Sequence, residues 1–121
     1  MSFPDFSLWK RISEEESSMM ESRRRQVLRD VWNVLHRMSD KYSWEALYIF
    51  GSLIREGGFS KRSDVDIGVR GLDKLRHYKF TGDISIILNR DVDVVRIEEC
   101  SFAETIISRG IKWTKEKSLS F

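Results

Sequence analysis

Residues Asp64 to Val69 alternate strictly, with Val65, Ile67 and Val69 on one face and Asp64, Asp66 and Gly68 on the other. A period of two is the pattern of a strand that buries one face. Two further runs share its character. Ala46 to Phe50 is almost wholly apolar and closes at Gly51, as a buried strand does. Val92 to Ile97 is rich in β-branched residues and reads as a third strand.

Helical patterns fill the intervals. Ser13 and Glu16 have the spacing of a capping box and place a helix start near residue 14, with the first dozen residues loosely held. Val27, Leu28, Val31, Val34, Leu35 and Met38 then form one apolar stripe, and polar Ser39 to Ser43 ends it near residue 40. Gly57 and Gly58 mark a loop. Leu72 to Asn89 reads as a turn and then a helix carrying Ile84, Ile87 and Leu88, open to a break at Gly82. Ser101 and Glu104 make a second capping-box pair. Phe102, Ile106 and Ile107 supply an apolar face up to Gly110, and Ile111 to Thr114 adds a short edge strand. The alternation predicts an α+β (mixed α/β) domain, with helices covering a short sheet.

At 121 residues the chain has the size of one domain, 1–121, with a single core. Its 40% hydrophobic and 33% charged residues suit a soluble globular protein and argue against wholesale disorder. No apolar run approaches the ~20 residues needed to cross a bilayer, and Met1 to Arg11 lacks the apolar core of a secretory signal. The lone Cys100 excludes an internal disulfide framework and agrees with a cytoplasmic location. A formal net charge of +2 argues against direct nucleic-acid binding through bulk charge. Arg23, Arg24 and Arg25 read as a solvated helix face, while Lys61 and Arg62 lie just before the aspartates.

The chemistry sits on the strands. Asp64 and Asp66 project from one strand face two residues apart, close enough to share one or two cations. Uncompensated, such carboxylates repel, and burial raises the cost. Oxygen ligands of this kind suit Mg2+ or Mn2+, completed by water and substrate phosphates. Taken alone, the pair also reads as the wet face of an amphipathic strand. Gly51-Ser52 at the exit of an apolar strand shifts that balance. Glycine admits a phosphate close to the backbone, and the serine hydroxyl with the N–H groups of a following helical turn can hold triphosphate oxygens. Asp91 and Asp93 share a face by parity. Asp93 lies inside the strand, flanked by Val92 and Val94, and is the better third ligand and base; Asp91 reads as a strand-entry turn residue.

Together, Ile49-Phe50-Gly51-Ser52, Ser63-Asp64-Val65-Asp66-Ile67 and Val92-Asp93-Val94 resemble the signature of the nucleotidyltransferase superfamily related to DNA polymerase β. More closely, they resemble the minimal nucleotidyltransferases that act as antitoxins beside HEPN ribonucleases. The resemblance spans about residues 44–110, the expected catalytic core. It implies a nucleotidyltransferase fold, triphosphate contact by Gly51 and Ser52, metal binding by Asp64, Asp66 and Asp93, and activation of an acceptor hydroxyl by Asp93. Arg55 matches a basic position that commonly follows the Gly-Ser pair. Two features depart from the pattern: the interval from Ser52 to Asp64 is longer than in the minimal type, and Glu56 stands where glycine is often found. The resemblance further implies ATP as substrate and a tyrosine of a cognate HEPN toxin as the acceptor of AMP. With little room for an acceptor-binding domain, the partner itself is expected to supply that surface. Transfer to a small molecule or RNA, or neutralisation of the partner by binding alone, are the competing readings.

Other residues carry weaker signals. Arg29 and His36 match the arginine–histidine spacing of HEPN ribonucleases but lie on a helix whose apolar positions read as core. His77 reads as a surface residue. Cys100 lacks neighbours at zinc spacing. Trp9, Trp32, Trp44 and Trp113 read mostly as core or interface anchors.

Overall fold

A computed structural model describes residues 6–119. Helix α1 (Phe6–Ser39) leads into strand β1 (Ala46–Phe50), a 3-10 turn (Gly51–Ile54), β2 (Val65–Arg70), α2 (His77–Leu88), β3 (Val92–Arg96), α3 (Ala103–Arg109) and β4 (Ile111–Trp113). The four strands form one mixed sheet in the order β3-β2-β1-β4. β1 runs antiparallel to β2 and β4, whereas β2 and β3 are parallel. The expected α+β class therefore holds, and Ile111–Trp113 is the short edge strand that its sequence predicts.

The sheet divides the apolar residues between its two faces. Leu47 and Ile49 of β1, Val65, Ile67 and Val69 of β2, Val94 of β3 and Trp113 of β4 share one cluster with Leu28, Val31 and Leu35 of α1 and Phe80 and Ile84 of α2. The apolar half of the β2 alternation thus meets the helices, as a period of two requires. The opposite face carries a smaller cluster of Tyr48, Ile97 and Ile106, with Phe50 and Val95 packed against it. Gly68 lies under α3: a Cβ there would come within 2.9 Å of the Ile106 side chain. The other half of that face, around Asp66, is left open for the site.

Several local expectations are corrected. The first helix does not start at Ser13; it is already helical at Phe6, and Ser13 and Glu16 are exposed residues within it. A Ser-x-x-Glu spacing caps a helix only where the chain before it departs from helical dihedrals, and residues 6–12 hold no glycine or proline to force that. Ser101 likewise caps nothing: Phe102 is the N-cap of α3 and no side-chain cap bond forms. Of the apolar face read there, only Ile106 is buried, while Phe102 and Ile107 stay exposed. Gly82 sits within an unbroken α2, where neighbouring i to i+4 bonds tolerate it. Trp32 and Trp113 are core, Trp44 is half-buried, and Trp9 is exposed.

Candidate functional site

Three strands deliver the site in one row. The register pairs Phe50 of β1 with Asp66 of β2, and Asp66 in turn with Asp93 of β3. Because all three occupy the same phase of the pleat, Asp66 and Asp93 face the same side of the sheet, next to the Gly51 turn. Asp64 lies one residue before β2 and is exposed. Asp93 is exposed as well, which corrects its reading as a carboxylate inside a buried strand: β3 is an edge strand. What brings Asp93 to the site is the parallel pairing with β2. Asp91 precedes β3, is exposed, and accepts the Val65 N–H through its carbonyl at 3.1 Å.

Gly51 meets two independent demands. Its φ is +79°, a conformation that side chains disfavour. A Cβ at that position would also overlap the Asp66 carboxylate. Glycine is thus needed both to turn the chain and to let it run against the carboxylate. Ser52 follows in the 3-10 turn, half-buried, and its carbonyl accepts the Arg55 N–H at 3.2 Å. Arg55 is exposed; its stem lies against Gly58, where a Cβ would come within 3.2 Å of the Arg55 Cβ. Gly51, Ser52, Asp66 and Asp93 are therefore brought together, with Asp64 at the rim and Arg55 beyond the end of the turn.

Electrostatics follow from this crowding. Burial pushes the Asp66 carboxyl up to about 6, and the charges of Asp93 and Asp64 add to the shift. Such mutual repulsion is what a divalent cation relieves. Among the described residues, no group of three or more His, Cys, Asp and Glu side chains is arranged to hold a metal ion. The donor chemistry nonetheless fits a hard cation: acidic oxygens from adjacent strands, electrostatically coupled, beside a backbone with no Cβ.

Two arginines whose role the sequence does not mark hold loops beside the site. Arg24 of α1 is buried at 9% exposure, which corrects the reading of the Arg23 to Arg25 run as a solvated face. Its Nη1 donates to the Leu53 carbonyl at 2.9 Å, inside the turn that carries Gly51 and Ser52. Arg90 donates from Nη1 to the Ser63 carbonyl at 3.0 Å and lies over the Phe59 ring, 4.8 Å from its centroid. It thereby fixes the segment that leads into Asp64, along a cleft of ≈ 520 Å³ also lined by Lys61, Arg62 and Asn89. His77, expected at the surface, is half-buried, with Nε2 2.7 Å from the Val94 carbonyl on the outer edge of β3. No sequence pattern marks these contacts, since each joins residues distant in the chain.

Among the described residues no helix is long and apolar enough to cross a membrane. The family described as "Polymerase beta, Nucleotidyltransferase" matches residues 33–117, a span that holds the whole sheet, the Gly51 turn and all three carboxylates. No curated protein and no solved structure matches the chain. With most of its length covered by that family and a mixed sheet carrying the motif in register, the chain belongs to the polymerase β nucleotidyltransferase family.

Proposed function

We propose that this protein transfers AMP from metal-bound ATP to a tyrosine hydroxyl of a partner protein, a cognate HEPN ribonuclease, and so acts as the antitoxin of a two-protein pair. The observation that carries the reading is the juxtaposition of Asp66, Asp93 and Gly51, with the Asp66 carboxyl raised by burial and then by the charges of Asp93 and Asp64. A site that keeps negative charges at such a cost is one shaped for a divalent cation that arrives with the substrate.

In this mechanism the Gly51 backbone admits the triphosphate and the Ser52 hydroxyl donates to one of its oxygens. Arg55, exposed at the end of the turn, reaches toward the same phosphates. Asp64 and Asp66 hold Mg2+ or Mn2+ with Asp93. The bound cation supplies polarisation of the α-phosphate and neutralisation of developing charge. Asp93 accepts the proton of the acceptor hydroxyl. That oxygen forms a bond to the α-phosphorus, the bond from the α-phosphorus to the bridging oxygen breaks, and pyrophosphate leaves. The added AMP brings bulk and negative charge to the partner's RNA-cleaving site, which would block substrate by occlusion and repulsion.

Intact mass spectrometry of the HEPN protein after incubation with this chain, ATP and Mg2+ tests the proposal. AMP increments that disappear in an Asp64→Ala/Asp66→Ala variant are the expected result. A silenced ribonuclease of unchanged mass, held in a stable complex, would overturn transfer in favour of neutralisation by docking.

A further inference from the structure

Arg24 is the one buried charged residue among the described residues, and its guanidinium is bonded on two sides. Nε donates to both carboxylate oxygens of Glu21, at 3.1 and 3.0 Å, and Nη2 donates to Glu21 Oε1. Nη1 alone reaches out of the helix, 29 residues along the chain, to the Leu53 carbonyl. A planar guanidinium fixed along one edge by a carboxylate has a single orientation, and its free edge becomes a rigid donor. The Glu56 charge, on the loop beyond the turn, acts on Arg24 in the same sense as Glu21.

The acceptor of that bond decides its meaning. Leu53 is the third residue of a 3-10 turn only four residues long, which begins at Gly51 and contains Ser52. Short 3-10 turns have poor internal hydrogen bonding and take their shape from what surrounds them. Here the turn is confined at one end by the Asp66 carboxylate against Gly51 and near the other by Arg24 on the Leu53 carbonyl, while the Leu53 side chain is fully buried beneath it. Ser52 lies between these two restraints along the chain. A lysine at position 24 would present a point charge without the fork, and a neutral side chain would leave the Leu53 carbonyl without its donor.

We propose that Arg24, oriented by Glu21, is a positioning residue that sets the Gly51–Ile54 turn in its phosphate-binding geometry. This rests on the reading that the turn holds the triphosphate. Titration calorimetry with MgATP, and separately with Mn2+ alone, tests it on the full chain at a temperature well below the unfolding transition of each variant. Arg24→Met should weaken MgATP by about tenfold or more, the scale of a misplaced binding group, while Mn2+ alone, which contacts the carboxylates, binds as in wild type. Arg24→Lys should recover part of the loss. Glu21→Gln, whose half-buried position tolerates the change, should weaken MgATP in the same direction but less. If Arg24→Met does not fold, Arg24→Lys and Glu21→Gln carry the comparison. Wild-type protein that binds Mn2+ but not MgATP overturns the reading of the turn itself. Wild-type binding of MgATP that all three variants retain unchanged overturns the role of Arg24 and leaves that reading standing, as does an equal loss of MgATP and Mn2+.

Discussion

Ionising Asp66 in the metal-free protein places a negative charge partly out of water, beside Asp93 and Asp64. Its carboxyl titrates at about 6 in the folded state against an ordinary value of 3.8. The folded protein therefore holds that proton more tightly than the unfolded chain. Stability falls as pH rises between these two values, and the cost persists above the upper one. Asp66→Asn removes the charge, so in chelator at pH 7 it should stabilise the protein by about 1–2 kcal/mol, after allowance for solvent screening. Thermal unfolding from pH 3 to pH 8 checks this, and the advantage should vanish below the ordinary carboxylate range. A variant no more stable than wild type at pH 7 would show that the crowding costs nothing. Gly51 and Asp66 were legible as residue types, but not their contact, because the chain reaches it only when β1 and β2 pair.

Among the elements, α2 is tied to the turn that follows α1 by a buried phenol and a surface lysine that converge on one carboxylate. Tyr42 donates from its hydroxyl to Asp83 at 2.7 Å, and Lys41 Nζ lies 2.8 Å from the same oxygen. The bonds from Lys41 and then Tyr42 hold the Asp83 carboxyl below its ordinary value. Burial, reinforced by Asp83, pushes the Tyr42 phenol up to about 12. Because the Asp83 value is depressed, its contribution is complete above the ordinary carboxylate range and is lost as pH falls through the lowered value. Asp83→Asn should cost about 1 kcal/mol at pH 7, allowing for the exposed lysine, and progressively less toward pH 2. Urea unfolding at both ends of that range is the measurement, and a pH-independent cost would assign the effect to packing instead. β2 was readable from its alternation because one face is buried and the other is not. The capping boxes misled because Ser-x-x-Glu also suits the wet face of a continuing helix, and α1 continues through Ser13.

For the whole molecule, ligand linkage gives a test that needs no partner. A ligand held only by the folded state at a hundred times its dissociation constant stabilises by about 2.7 kcal/mol. Mg2+ and ATP together should raise the melting temperature by several degrees, and ATP with chelator should do less. An equal rise in the Asp64→Ala/Asp66→Ala variant would place the nucleotide elsewhere. The sequence by itself determined the helix-and-strand alternation, the apolar face of β2 and the glycine turn that closes β1. All of these are written in residue types and in periods of two or about four positions. Tertiary structure decided which carboxylate stands beside which, since the parallel register of β2 and β3, not the neighbours of Asp93 in the chain, sets Asp93 next to Asp66. It also decided that Arg24, one of three consecutive arginines, is the one turned inward. Contacts across 27 or 29 residues, such as Arg90 on Ser63 and Arg24 on Leu53, leave no periodic trace, because they depend on where the elements pack rather than on what any segment prefers.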